Sequence, residues 1–338
     1  MQGLENLGST CAINSLVQII CRNNYLRNII LEYDLKKDGI ADNLKEILVL
    51  MHEKKKSLRP RKFINNIFKI LNGIFKYGEQ IDIYELWIFL SQEIINEVNE
   101  DDRYYSRISN IKIKDILNKG IVINSYNDFA KLLLDKSPLK KRFEHYNIKL
   151  NKNKVSKYQS CIQGFYLNII TCLNCNNTLY NFESFITLNL NITRSNMSVV
   201  EMINELYKEE VKCDEWKCEN CNTKSIYKKQ SKIWDLPKVL VIVVNRFCDL
   251  YKKNDEPINI NDVLKFTKGT ILNNVNVEKK YSLSSLALHT GNIDGGHYVA
   301  ICNNDTPEYH LYNDIDVSNI DNFNINNKYA YMIFYNEL

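Results

Sequence analysis

Two Cys-x-x-Cys pairs constrain the fold of this chain more than any other feature. Cys172 pairs in this way with Cys175, and Cys218 with Cys221. Each pair offers two thiolates at a spacing that suits one tetrahedral Zn²⁺ ion, so we expect all four sulfurs to meet at one site. Four protein ligands leave no open position, which makes the expected zinc structural. The alternative is two unrelated buried pairs of cysteines.

The order of the predicted elements indicates an α+β fold. Helical periodicity dominates the first half of the chain and strand-like runs dominate the second. Segregation of this kind is typical of α+β proteins. Helices are predicted over 44–51, 63–71, 82–95, 129–134 and 198–209, with a polar loop over 147–157. Strands are predicted over 165–170, 182–188, 239–244, 281–289, 298–302 and 329–335, and the wholly apolar run 239–244 predicts a strand buried on both faces.

Composition excludes several classes of protein. A net charge of +4 over 338 residues, with dispersed basic side chains, does not favour nucleic-acid binding. No secretory signal opens the chain, and no apolar run is long enough to span a membrane. Ten cysteines in this length are too few for a disulfide scaffold. We therefore expect a single-domain, monomeric intracellular protein, cytoplasmic or nuclear. Abundant Asn, Ile, Lys and Tyr suggest an AT-rich genome such as that of a protist or a large DNA virus. If the source is a virus, we expect the protein to act in the host cell.

The two ends of the chain carry residues for nucleophilic catalysis. Cys11 follows a glycine-containing turn and opens an apolar helix, where the helix dipole and unpaired N–H groups favour a thiolate. Asn6 precedes it closely enough to donate to an oxyanion. His297 follows two glycines near the other end, and Asn313 and Asp314 come after an aromatic residue. A cysteine, a histidine and an orienting Asn or Asp form a nucleophilic triad.

These motifs resemble the ubiquitin-specific protease family of deubiquitinating enzymes. The run from Gly3 to Ser15 is similar to that family's cysteine box, and Gly296-His297-Tyr298-Val299-Ala300 to its histidine box. The resemblance implies a papain-like fold with a thumb (about 1–150), zinc-ribbon fingers (about 160–235) and a palm (about 236–338). It places the four cysteines at the fingertips. It also implies Asn313 as the third triad member, with Asp314 assisting or substituting.

The same resemblance implies a channel for the ubiquitin tail. The segment around Gln80, Asp82 and Glu85 resembles the family box that flanks it. Ubiquitin ends in Arg-Leu-Arg-Gly-Gly, so acidic residues suit its arginines. Gly295 and Gly296 with Tyr298 would restrict the channel to glycine width. Asp82 is also predicted to cap the following helix, with Glu85 as its capping-box partner, and the two roles are compatible.

The expected function is hydrolysis of the bond after the Gly-Gly end of ubiquitin on lysine-linked conjugates or chains, with ubiquitin and ubiquitinated proteins as partners. Other possibilities are an inactive ubiquitin-binding module, a protease for another ubiquitin-like modifier and a zinc-ribbon nucleic-acid binder.

Three positions depart from the family pattern, with expected effects on loop packing and rate. Ser9 replaces Asn, Ile81 replaces a polar residue and Tyr309 replaces Trp.

Overall fold

The computed structural model describes residues 2–338 except 36, 52–56, 72, 99, 102–137, 152–153, 214–215, 225, 248–251, 293–294, 304–307 and 321–325. Its helices are α1 (Cys11–Arg22), α2 (Asn24–Glu32), α3 (Ile40–Leu50), α4 (Arg61–Ile70), α5 (Ile83–Val98), α6 (Pro138–Asn151), α7 (Lys157–Ile162) and α8 (Val199–Leu206). The first strands are β1 (Gly3–Leu4), β2 (Ser57–Leu58), β3 (Glu100–Asp101), β4 (Lys154–Val155), β5 (Gly164–Cys172), β6 (Thr178–Phe185), β7 (Leu188–Asn191), β8 (Glu210–Lys212) and β9 (Tyr227–Asp235). The remaining strands are β10 (Val239–Asn245), β11 (Ile258–Asn259), β12 (Val263–Phe266), β13 (Lys279–Gly291), β14 (Gly296–Asn303), β15 (Tyr309–Asn313), β16 (Asp316–Ile320), β17 (Asn326–Asn327) and β18 (Ala330–Glu337).

A central sheet forms the middle of the molecule. Its strands lie in the order β16-β15-β14-β13-β18-β10-β7, and β12 pairs with β13. The strand β10 is buried on both faces, as its apolar sequence predicts. One face of the sheet packs against helices α1 to α5 and α7, while α8 and the segment around β11 cover the other.

Helix α1 lies at the centre of the helical layer. Every residue from Cys11 to Cys21 is buried, and the helix packs against β14, β13 and α5. A helix that is covered all round by protein needs few charged residues, and α1 has a single basic residue in its last turn. This packing brings the N-terminus of α1 to the strand that carries His297.

A separate four-stranded sheet, in the order β6-β5-β9-β8, carries the cysteine pairs at one end. An aromatic cluster of Phe143, Phe165, Phe182 and Trp234 joins this sheet to α6. Cys172 ends β5 opposite Tyr227 at the start of β9. Both cysteine pairs therefore lie at the same end of the sheet.

Three sequence expectations are corrected by the structure. The strand over 182–188 is two strands: β6 pairs with β5, and β7 then pairs with β10 of the central sheet. The prediction of a polar loop over 147–157 is wrong, because α6 continues to Asn151. The Asn151 side chain donates to Asn147 one turn earlier on the helix. The helix over 198–209 ends at Leu206, although Ser198 caps its start. The helix over 129–134 lies outside the described residues. No helix of the described part is long and apolar enough to cross a membrane.

Candidate active site and metal centre

Cys11 is the first residue of α1 and is only 5% exposed. Burial raises the pKa of its thiol above the ordinary value, and the negative charge of Asp314 raises it further. The backbone N–H of Tyr298 on β14 opposes this effect, as do the N–H groups of Cys11 and Ala12. The N–H groups at the start of α1 thus favour the thiolate as expected, but desolvation of the sulfur outweighs them and the net shift of the pKa is upward.

His297 and Asn313 lie on neighbouring strands, β14 and β15. His297 Nε2 is 2.7 Å from Asn313 Oδ1. Because the amide oxygen can only accept a hydrogen bond, Nε2 carries the proton and Nδ1 keeps the lone pair. Among the described residues, no hydrogen bond joins the imidazole to Cys11 Sγ. In this respect the site resembles many ligand-free enzymes, whose catalytic hydrogen bonds form only when substrate binds.

Asp314 contacts a different part of the site. Its Oδ1 accepts from Asn14 Nδ2 at 2.8 Å and its Oδ2 from Asn6 Nδ2 at 2.9 Å, while its backbone oxygen accepts from Leu4 N at 2.8 Å. Asn313 thus contacts the histidine, whereas Asp314 joins the N-terminal segment to α1. The role of Asn14 was missed by sequence reasoning, although a polar residue on a fully buried helix was a usable signal.

The turn before Cys11 is organised by Asn6. Its Oδ1 accepts from the backbone N–H of Gly8 at 3.0 Å and of Thr10 at 3.2 Å. One hydrogen of its Nδ2 is donated to Asp314, which leaves the second available for a substrate oxygen. Ser9 has a φ of 52°. Asn adopts this left-handed conformation more readily than Ser, so the departure at position 9 places strain in the turn.

A cavity of about 460 Å³ brings together most of the predicted channel residues. It lies between the start of α5 and the β13–β14 hairpin, and Gln80, Asp82, Glu85, Gly295 and Tyr298 line it. Gln80 holds the hairpin with two hydrogen bonds, from its Nε2 to Gly296 O at 2.9 Å and from Gly296 N to its Oε1 at 2.7 Å. Six residues beyond the predicted set complete the lining, namely Ile81, Tyr84, Phe247, His289, Asn292 and Tyr331.

The need for glycine at position 296 arises within the protein itself. A Cβ on Gly296 would lie 2.1 Å from Thr290 O and 2.4 Å from His289 Nε2, and one on Gly295 would lie 2.9 Å from Gln80 Oε1. Contacts this short with backbone atoms require the main chain to move. Closure of the hairpin therefore requires Gly296, independently of any substrate.

Asp82 uses both carboxylate oxygens inside the protein. Its Oδ1 accepts from the backbone N–H of Tyr84 at 2.8 Å and of Glu85 at 3.1 Å, which confirms the predicted cap of α5. Its Oδ2 accepts from the hydroxyls of Tyr298 at 3.2 Å and Tyr331 at 2.9 Å. Glu85 is exposed on the rim of the same cavity. Of the two acids, Glu85 is the one left to face a charged ligand.

His289 was also missed by sequence reasoning. It is buried beside Tyr298, with ring centroids 4.6 Å apart, and its Nδ1 has no hydrogen-bond partner among the described residues. Burial lowers its pKa to about 4, and the charge of Lys253 contributes in the same direction. The floor of the cavity is therefore a neutral aromatic surface near pH 7.

The four cysteines converge at the end of the four-stranded sheet, and their sulfur atoms lie within 4.8 Å of one another. Cys172 and Cys221 Sγ are 3.9 Å apart, and Cys175 and Cys218 Sγ are 3.7 Å apart. Tetrahedral zinc with four thiolates requires sulfur separations of about 3.8 Å. The donor set therefore fits a metal ion of this kind.

The two cysteine turns repeat one local structure. Asn176 N donates to Cys172 O at 2.9 Å, and Asn222 N donates to Cys218 O at 2.8 Å. Both asparagines have positive φ, 55° and 58°. A hydrogen bond with the Thr223 hydroxyl lowers the pKa of Cys221 to about 5, which favours the thiolate that a metal requires.

Comparison with known proteins identifies the family. A sequence profile of the ubiquitin carboxyl-terminal hydrolases matches residues 2–335. The chain belongs to this family. Ubiquitin carboxyl-terminal hydrolase 4 of Saccharomyces cerevisiae is 25% identical over 378 residues, covering 99% of this chain and 39% of the relative. Ubiquitin carboxyl-terminal hydrolase 21 of Homo sapiens is 25% identical over 359 residues, covering 98% of this chain and 61% of the relative. The chain thus spans only part of the length of these relatives.

Solved structures support the fold assignment. A chain of the yeast SAGA DUB module with an Sgf73 mutant superposes with a TM-score of 0.73 at 22% identity, covering all of this chain and 68% of that one. A chain of the module bound to ubiquitin aldehyde gives a TM-score of 0.71 at 22% identity, with 100% and 70% coverage. The expected α+β, papain-like protease fold is confirmed.

Proposed function

We propose that this family member is a deubiquitinating thiol isopeptidase. It hydrolyses the bond after the C-terminal Gly-Gly of ubiquitin on lysine-linked conjugates or chains. The observation that carries the proposal is the His297–Asn313 pair at 2.7 Å on the strands beside Cys11, next to the hairpin whose Gly295 lines the channel cavity. Family membership supports ubiquitin as the modifier.

The chemistry follows from the positions of these groups. The ubiquitin tail occupies the cavity, with Glu85 on its rim facing a tail arginine. Cys11 transfers its proton to His297 Nδ1 and attacks the glycine carbonyl carbon. The free hydrogen of Asn6 Nδ2 and the Cys11 backbone N–H receive the oxyanion. When the carbon–nitrogen bond breaks, the lysine amine takes the proton from His297. Water, deprotonated by His297, then hydrolyses the thioester and releases ubiquitin.

The raised pKa of Cys11 favours its neutral thiol form, so His297 has to remove the thiol proton during the reaction. Asn313 holds the imidazole with Nδ1 ready to accept a proton. Substrate binding therefore has to bring the Cys11 thiol and the His297 imidazole together.

We also propose that Cys172, Cys175, Cys218 and Cys221 hold one structural Zn²⁺. Thiolate chemistry of this kind suits a reducing cytoplasm or nucleus.

A covalent probe tests the proposal. Ubiquitin carrying a C-terminal electrophile should form a one-to-one adduct at Cys11, identified by peptide mass spectrometry. Cys11→Ala should abolish the adduct, while Cys213→Ala, which removes an exposed thiol, should retain it. Binding of the probe without an adduct would instead identify an inactive ubiquitin-binding module. Reaction with a different ubiquitin-like probe, and not with ubiquitin, would change the assigned modifier.

A further inference from the structure

A second cavity adjoins Asn6 outside the predicted tail channel. It has a volume of about 500 Å³ and is lined by Asn6, Leu7, Arg59, Arg61, Asn65 and Tyr77. It shares none of these residues with the channel cavity. The Tyr77 hydroxyl donates to Leu7 O at 2.9 Å, and Gln80 holds the channel hairpin. The segment 77–80 therefore lies between the two cavities, with Tyr77 lining the second cavity and Gln80 lining the channel.

The second cavity carries positive charge. Arg59 Nε lies 3.2 Å from Glu5 Oε2, and both side chains are substantially exposed. Arg61 has no ion pair within the described part of the chain. It is also the first residue of α4, whose first turn contains no acidic residue and whose N-cap, Pro60, supplies no side-chain hydrogen bond. The positive end of the helix dipole therefore adds to the two guanidinium groups.

The position of the cavity relates it to the leaving group. On the proposed function, the ubiquitin tail fills the channel up to Cys11 and its carbonyl oxygen meets Asn6. The acceptor lysine then leaves the reacting carbon on the side away from the channel. The second cavity is lined by Asn6 and shares no residue with the channel that receives the tail. A segment of the acceptor protein next to the lysine would contact it.

We propose that this cavity is an acceptor-side subsite that recognises acidic residues flanking the ubiquitinated lysine. Arg59 and Arg61 can each bind a carboxylate through two parallel N–H groups. Asn65 lies one turn after Arg61 on α4 and can donate to a peptide carbonyl. The subsite would make the surroundings of the lysine, in addition to ubiquitin, a determinant of the cleavage rate.

Two isopeptide substrates test the subsite. Ubiquitin is joined to the lysine of two peptides that differ only in having Glu or Lys on both sides of that lysine. At low ionic strength we expect kcat/KM to be about fivefold higher or more for the acidic peptide. The ratio should decrease with added NaCl, because these groups are exposed. Arg61→Glu should reverse the preference and Arg61→Gln should reduce it.

Lys69→Glu is the matched control, because it makes the same change of charge at the other end of α4, away from the cavity. It should keep the acidic preference. Equal rates for the two peptides in the wild-type protein, or a preference that survives Arg61→Glu, would refute the subsite. A fluorogenic ubiquitin amide with an uncharged leaving group separates this outcome from failure of the proposed function. If the amide is cleaved, only the subsite is refuted, whereas loss of all cleavage refutes both.

Discussion

Asn313 and Asp314 are adjacent in sequence and hold different halves of the candidate active site. The side chain of Asn313 reaches His297, while that of Asp314 reaches Asn6 and Asn14. A left-handed backbone conformation at Asp314, with φ of 52°, turns the second side chain away from the first. Asn313 is therefore the candidate third triad member, which orients the histidine. Asp314 has a separate role in anchoring Asn6 and Asn14.

The two roles predict different mutant phenotypes. Asn313→Ala should lower kcat by about 10²-fold or more, because His297 loses the group that orients it, and the melting temperature should not change. Asp314→Ala should lower kcat by a similar factor and also the melting temperature, because the buried amide of Asn14 loses its partner. Steady-state kinetics and thermal unfolding of both variants test this. An unchanged melting temperature for Asp314→Ala would contradict the anchoring role.

The start of α5 illustrates how one element serves both the fold and the channel. Asp82 is engaged by four groups within the protein, whereas Glu85 lies on the rim of the cavity. Desolvation beside the cavity and the neighbouring charge of Asp82 raise the pKa of the exposed Glu85 carboxyl. A cationic ligand that enters the cavity would therefore stabilise the ionised form of the Glu85 carboxylate.

Substitutions at these two acids should separate stability from substrate binding. Asp82→Ala should destabilise the fold by about 1 kcal/mol or more through loss of the helix cap and of the two tyrosine contacts. Glu85→Lys should leave stability unchanged and raise KM for ubiquitin substrates about tenfold, because a like charge then faces the tail arginines. Thermal unfolding measured beside kinetics distinguishes the effects. A raised KM for Asp82→Ala at unchanged stability would return Asp82 to the binding site.

The cysteine cluster lies at the end of the four-stranded sheet, and the proposed zinc site there makes a prediction about stability. Elemental analysis of the purified protein should give one zinc per chain, and Cys218→Ser should lose it. The melting temperature should then fall by about 5 °C or more, because a structural site contributes its binding energy to folding. Cys213→Ser is the matched control, since Cys213 lies outside the cluster, and it should keep the metal. Freshly purified, active protein without zinc would exclude the metal from this role.

At the scale of the whole molecule, the candidate site lies where the helical layer meets the central sheet. The β13–β14 hairpin is held from one side by Gln80 and from the other by Lys253, whose buried ammonium donates to His289 O at 2.7 Å and Gly291 O at 3.3 Å. His289 lies between these supports. The charges of Lys253 and His297 lower its pKa, while Asp82 and Asp255 oppose them.

This arrangement predicts a pH dependence of stability. Because the pKa of His289 is about 4 when folded and 6.5 when unperturbed, the unfolded chain binds a proton that the folded protein excludes. The free energy of unfolding should therefore decrease as pH falls from 6.5 to about 4, by about 2 kcal/mol for this group. Urea titrations of the wild-type protein and His289→Phe should show a smaller loss in the variant. His145→Phe is the control, and an equal loss in all three proteins would contradict the assignment.

Local residue patterns were sufficient for several features of this protein. The apolar run that forms β10, the cap of α5 by Asp82 and the convergence of four cysteines depend on neighbouring residues or on fixed ligand spacing. For the same reason the motifs identified Cys11, His297 and Asn313 as site candidates. The break between β6 and β7 was missed, because strand partners in two different sheets are not encoded in a single apolar run.

Tertiary structure decided the properties that depend on distant atoms. The sequence by itself placed Cys11 at a helix N-terminus and favoured a thiolate, but burial under β14 and the charge of Asp314 raise its pKa. Only the fold brings Arg61 beside Asn6, Tyr331 to Asp82 and His289 under Gly296. Desolvation and Coulomb energies depend on separation in space, and residues far apart in sequence set them here.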